Sequence, residues 1–167
     1  MASKTKHFPS FSIVNGDVQI KVDLSRFERQ FRDAQFALDS AIMTSMVPFM
    51  PMEAGNFIQR TRMISASMAG TGTVCAAAPP MGRFLYEGKV MVDSETGRGA
   101  FPIENSPGEI IFRFRKGAKL VATDKALNYF KGANPQVTDH WFDKAKKQDL
   151  KQWVSLVKKT AGGGAVG

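Results

Sequence analysis

The stretch SRFERQFRDAQFALDSAIMTSM, residues 25–46, carries the clearest periodicity in the chain. Phe27, Phe31, Ala34, Leu38, Ala41, Ile42 and Met46 recur at three- and four-residue spacing, with Arg26, Glu28, Arg29, Arg32, Asp33 and Asp39 between them. One apolar stripe beside one charged face predicts an amphipathic helix packed on a core. Ser25 followed three residues later by Glu28 forms a capping box, with Asp23 as an alternative cap. Pro48 ends the helix, because it lacks an N–H and crowds the preceding turn.

Upstream, Phe11 to Val14 and Val18 to Val22 are short β-rich runs joined by Asn15-Gly16-Asp17. Asn-Gly tolerates positive φ, so the spacing predicts an N-terminal hairpin. Downstream, VPFMPMEAGNF is a rigid connector with two prolines and a glycine. Arg60 to Ala69 and Thr73 to Ala78 read as paired strands, with AGTG as the tight turn between them. That glycine run lacks the Gly-Lys-Ser/Thr ending of a phosphate loop. Pro79-Pro80 breaks the second strand, and MGRFLYEG offers one or two turns of helix, with Phe84 and Tyr86 as core residues.

From Lys89 to about Ala122 the pattern returns to strand. KVMVD and EIIFRFR flank a long polar stretch, SETGRGAFPIENSPG. Alternation in the second run sets Ile111, Arg113 and Arg115 opposite Ile110, Phe112 and Phe114, as on a half-buried strand with a basic outer face. Thr123 to Phe130 is expected to be a short helix, and KGANPQ a turn. Thr138 or Asp139 then caps a last helix running to about Thr160. Phe142, Ala145, Trp153, Leu156 and Val157 form its apolar side, with Trp141 and Leu150 at the margins. Lys144, Lys146, Lys147, Lys151, Lys158 and Lys159 load the remainder with positive charge.

These elements predict an α+β class: a small, mostly antiparallel sheet packed by two amphipathic helices, with a long protruding β-hairpin or arm. Residues 1–160 form a single domain, with 23–88 and 123–160 as the core and 89–122 as the arm. Residues 161–167, AGGGAVG, form a flexible tail. A chain of 167 residues can bury a core without staples, and its one cysteine, Cys75, excludes an internal disulfide. The opening MASKTKH has no apolar h-region, so no secretory signal is expected. The most apolar stretch, Ala41 to Met52, is too short to span a bilayer. We expect a protein made in the cytoplasm, with no membrane partner.

No residue is assigned a catalytic, cofactor-binding or metal-binding role, no cofactor is implied, and the chain is not expected to be an enzyme. His7 lies in a segment expected to be mobile. His140, beside Trp141 at a helix start, suits capping or packing. Neither belongs to an HxxxH or CxxC pattern. Cys75 sits in the apolar TVCAAA, the setting of an inert buried thiol. Ser65 and Ser67 alternate along the expected strand, with no nucleophile elbow around them. The formal charge of +8 favours polyanionic partners. Arg113, Arg115, Lys116 and the lysines of the last helix are the candidates for electrostatic contacts, including contacts with nucleic-acid phosphates.

At PMGRFLYEGKVMVDSETG and NPQVTDHWFDKAKKQDLKQWVSLVKK the sequence resembles the minor capsid protein family of tailed phages. The matching features are the helix at Ser25 to Met46, the proline-bounded link Pro48 to Gly55 and the strand pair at Arg60 to Ala78. The aromatic segment Phe84 to Gly88 and a closing helix with Trp141-Phe142, Ala145 and Trp153 complete them. The resemblance runs from about Asp23 to Lys159 and leaves the N-terminal hairpin outside the pattern. It implies a virion component at the head–tail junction, in the neck. There the subunit would work in a homo-oligomeric ring of six or twelve copies, beside adjacent neck, portal-adaptor and tail proteins, with genomic DNA passing through. A tail terminator, another particle protein or a non-specific nucleic-acid-binding protein is the alternative.

Overall fold

The computed structural model describes residues 7–52 and 55–162. It is an α+β fold whose strands all pair antiparallel, and whose core is a pair of long helices. Helix α1 spans Ser25–Met46, followed by a 3-10 turn at Val47–Phe49; helix α4 spans Trp141–Thr160. Met43, Met46, Phe49 and Met50 pack against Trp141, Ala145 and Trp153, and Leu38, Ile42 and Phe142 border that cluster.

The two helices run antiparallel. The start of α4 is tied to the end of α1, because Thr138 donates its N–H to the Phe49 carbonyl and Asn134 donates to the carbonyls of Val47 and Met50. Farther along, Trp153 Nε1 donates to Ser45 Oγ at 3.1 Å, and beyond the helix end Gly162 lies against Gln30. Trp141 stands at the centre of the buried face rather than at its margin. Its ring meets Tyr86 edge-on at a centroid distance of 4.9 Å, as expected for a packed Tyr86, while Phe84 is half-buried.

Arg60 to Ala69 is not a strand. Residues Asn56–Met68 form helix α2, whose inward positions are Ile58, Thr61 and Ser65. That face is mostly hydroxyl, so it leaves no apolar stripe for a sequence pattern to detect. The hydroxyls have a partner: the extended segment 73–78, which among the described residues pairs with no strand. Ser65 Oγ donates to the Cys75 carbonyl and accepts from the Cys75 N–H, at 2.9 and 3.1 Å. Ala78 N–H donates to Thr61 Oγ1, and Trp141 Nε1 donates to the Ala76 carbonyl at 2.8 Å. Side chains of two helices thus satisfy the backbone that a neighbouring strand would otherwise satisfy.

Helix α3, Gly82–Glu87, ends at Gly88 in the left-handed region, φ 66°, the usual place for glycine after a helix. The chain then enters strand β3, Lys89–Asp93, which pairs with β6, Leu120–Ala126. The expected helix over Thr123 to Phe130 is therefore replaced by strand as far as Ala126. The edge of β3 satisfies this backbone, and the ladder continues with Leu127 N–H donating to the Gly88 carbonyl. Thr123 Oγ1 donates to the Val90 carbonyl where the register shifts.

The strands form three separate two-stranded ribbons. β1, Phe11–Asn15, and β2, Val18–Val22, form the expected N-terminal hairpin. β3 and β6 make a stalk, and β4, Phe101–Ser106, with β5, Glu109–Arg113, makes a second hairpin inserted between them. The stalk packs on the helical body chiefly through α3.

Helix α1 begins at Ser25, but without a capping box. Asp23 Oδ1 accepts the Ser25 N–H at 2.9 Å, while Glu28 Oε2 accepts the N–H groups of His7 and Phe8. His7 and Phe8 also pack against the Phe31 ring, tilted and edge-on, so the expected mobile segment is held against α1 from His7 onward. Neither Thr138 nor Asp139 caps α4; His140 precedes it at φ 44°. Most of the tail expected at 161–167 lies outside the described residues.

Candidate assembly surfaces

The β1–β2 register places Phe11 opposite Val22, Ile13 opposite Ile20 and Asn15 opposite Val18. Side chains of directly paired residues share a face, so Phe11, Ile13, Val18 and Ile20 form one apolar side. Among the described residues nothing covers it: Ile13 is 53% exposed and Ile20 54%. A lone two-stranded ribbon is marginally stable in water. This one is fastened at its root, where Ser10 Oγ accepts the Leu24 N–H and donates to Asp23 Oδ1. The Ser25 N–H and these hydroxyl contacts hold the Asp23 carboxyl below the ordinary carboxylate range.

The β4–β5 hairpin repeats the pattern. Phe112 faces Pro102 and Ile110 faces Glu104 across the ribbon; Phe112 is 68% exposed and Ile110 65%. The expected half-buried strand is therefore exposed at Ile110 and Phe112, because no second layer among the described residues packs on the hairpin.

Beneath the hairpin, Arg115 donates from Nε to Asp93 Oδ2 at 3.1 Å and from its terminal nitrogen to Glu95 Oε2. Asp93 also accepts the Glu95 N–H, and the Arg115 guanidinium holds its carboxyl below the usual range. Arg115 thus clamps the arm to its own stalk, a use the sequence pattern did not reveal. Arg113 and Lys116 are exposed.

The two apolar ribbons are rooted at opposite ends of the body. The first enters α1 at Ser25, beside the end of α4 where Gly162 meets Gln30. The second is carried on the β3–β6 stalk, which departs at Gly88 beside the start of α4, where His140 N–H donates to the Tyr86 carbonyl. A helix of 20 residues separates them, about 30 Å of rise.

Helix α4 turns its six lysines to solvent, and all six are exposed. Among the described residues none of them takes part in an ion pair closer than 4 Å.

The residues weighed for chemistry are dispersed. Cys75 is half-buried rather than buried, with its backbone bonded to Ser65, and Ser65 and Ser67 lie on helix α2. His140 is exposed, with Glu87 and Asp139 carboxylates at 3.8 and 3.6 Å. Among the described residues no group of three or more His, Cys, Asp or Glu is placed to hold a metal. An open groove between α1 and the 72–76 segment is lined by Leu38, Ile42, Val74, Tyr86 and Phe142. Its polar side chains are Gln35, which donates to Asp39, Asp39 itself, engaged with backbone N–H groups, and the Tyr86 phenol, whose pKa burial raises.

Among the described residues no helix is long and apolar enough to cross a membrane. No family model, curated protein or solved structure matches the chain.

Proposed function

We propose that the chain is a structural subunit of a tailed-phage virion, a minor capsid or neck protein that joins head to tail as one member of a homo-oligomeric ring. The observation that carries this reading is the pair of uncovered apolar ribbons rooted at opposite ends of one helical body. A subunit with two different adhesive ends makes heterologous contacts, and such contacts generate a ring when the rotation closes. Exposed apolar faces of this kind mark interaction surfaces. Covering a half-exposed Phe or Ile contributes on the order of 1 kcal/mol, so each junction is weak and the ring multiplies it. The sequence resemblance is the support for a position between portal and tail.

Light scattering of the purified chain over a concentration series, together with a reconstruction of the intact particle, tests the proposal. The expected results are a closed oligomer of six or twelve copies and density for the chain on the tail axis. A strict monomer at high concentration that is also absent from purified virions overturns it.

A further inference from the structure

We propose that the outer face of α4 binds the phosphate backbone of duplex DNA without regard to base sequence. Six lysines and two aspartates lie on this helix, so it carries half of the chain's formal charge of +8. At 100° per residue, Lys144, Lys147, Lys151 and Lys158 fall within about 60° of arc, a ridge of roughly 21 Å. The ridge points away from the buried line of Trp141, Ala145, Asp149 and Trp153.

Asp149 is turned inward and 9% exposed, so Asp143 at the first turn is the one acid on the exposed surface of α4. The exposed positions interleaved with the lysines include Gln148, Gln152 and Ser155, and the exposed Leu150 and Val154 border the ridge on one side. These short polar groups also hydrogen-bond phosphate oxygens. A solvated helix commonly pairs its lysines with acids three or four residues away, and this ridge has almost none.

Duplex DNA fits the ridge better than a lipid surface does. A helix lying in a membrane interface presents its apolar stripe to the acyl chains, and here the tryptophans of that stripe are buried against α1. Duplex DNA carries about one negative charge per 1.7 Å of axis, so a straight ridge of four cations finds a phosphate for each. Binding of this kind reads charge and not bases.

The inference stands apart from the neck assignment and is measured without particles. Anisotropy of a labelled duplex of about 20 base pairs, in two unrelated sequences, is titrated with the full chain at about 50 to 200 mM salt. Both sequences are expected to bind alike, with affinity falling roughly a hundredfold across that range, as four phosphate contacts require. K147E/K151E is expected to weaken binding at least about tenfold and to flatten the salt dependence by about two contacts. The arm variant R113E/K116E retains the affinity. Unfolding curves confirm that each variant folds, and K147Q/K151Q replaces the charge reversal if it does not. Undetectable binding at the lowest salt overturns the proposal. So does binding that K147E/K151E leaves unchanged, or tighter binding to anionic phosphatidylserine vesicles than to DNA. Absence of the chain from virions bears on the neck reading and leaves this measurement intact.

Discussion

The Asp39 carboxylate, buried within α1, accepts the backbone N–H of Gly70 at 2.8 Å, thirty-one residues away. The same oxygen accepts the Gly72 N–H at 3.1 Å, while the other oxygen accepts from Gln35 Nε2 at 2.8 Å. The glycine run thus closes around an anion that belongs to the protein. Gly70 and Gly72 both have positive φ, which turns successive N–H groups toward one point. This contact folds the end of α2 back onto α1 and sets the direction of the 73–78 segment.

Replacing Asp39 with alanine leaves the two glycine N–H groups without their acceptor. The expected loss is about 2–3 kcal/mol, the scale of hydrogen bonds to a charged group. Asp39→Asn keeps an acceptor oxygen and loses less. Urea unfolding of both variants checks the order. Equal stability of Asp39→Ala and wild type contradicts the anchoring role.

The phenols report on the α3 end of the body. Tyr129 donates its hydroxyl to the Leu85 carbonyl, and burial, aided by the Asp139 charge, pushes its pKa up to about 12. Burial also raises Tyr86, with Asp143 and Glu87 adding to the shift. These are the only two tyrosines in the chain. A spectrophotometric titration is therefore expected to show less phenolate at pH 10 than two exposed tyrosines give, each of which is half ionised there. A raised acid pKa gives stability that is complete below the unfolded value and lost as pH rises through the folded value. Tyr129 thus destabilises the fold between about pH 10 and 12, and Tyr129→Phe removes that alkaline component. An ordinary phenol titration in the folded chain counts against this packing.

A methyl group added at Gly82 would lie 2.5 Å from the Ala77 carbonyl carbon, so the backbones of α3 and the 73–78 segment touch there. Gly82→Ala is expected to cost about 3 kcal/mol through forced separation of the two. The exposed neighbour Arg83 has no such contact, and Arg83→Ala stays within about 0.5 kcal/mol of wild type. Thermal melts of the pair measure the contrast.

The hairpin tip allows the proposed assembly to be tested apart from folding. Ile110 and Phe112 are exposed, so I110S/F112S is expected to change the stability of the isolated chain by no more than about 0.5 kcal/mol. The same variant is expected to shift the sedimentation profile toward monomer. Retention of the full oligomer would assign the contact to another surface.

Elements with a strong local pattern were legible in the sequence: α1, α4, the Asn15-Gly16 hairpin, α3 and the strands β3 and β5. Their periods or turn residues sit within one short window, and burial of one face enforces them. The lysine-rich outer face of α4 was legible for the same reason, since the apolar side fixes which side is left. Only the tertiary structure decided α2, β6 and the unpaired segment 73–78. Thr61 and Ser65 are ordinary polar residues until the backbone of Cys75 and Ala78 arrives beside them. The edge of β3 likewise makes a strand of residues 120–126. It also took the folded chain to commit Arg115 to Asp93 and Glu95 and to place Trp141 at the centre of the core. In each case the deciding partner lies ten to sixty-five residues away, beyond the reach of any local period.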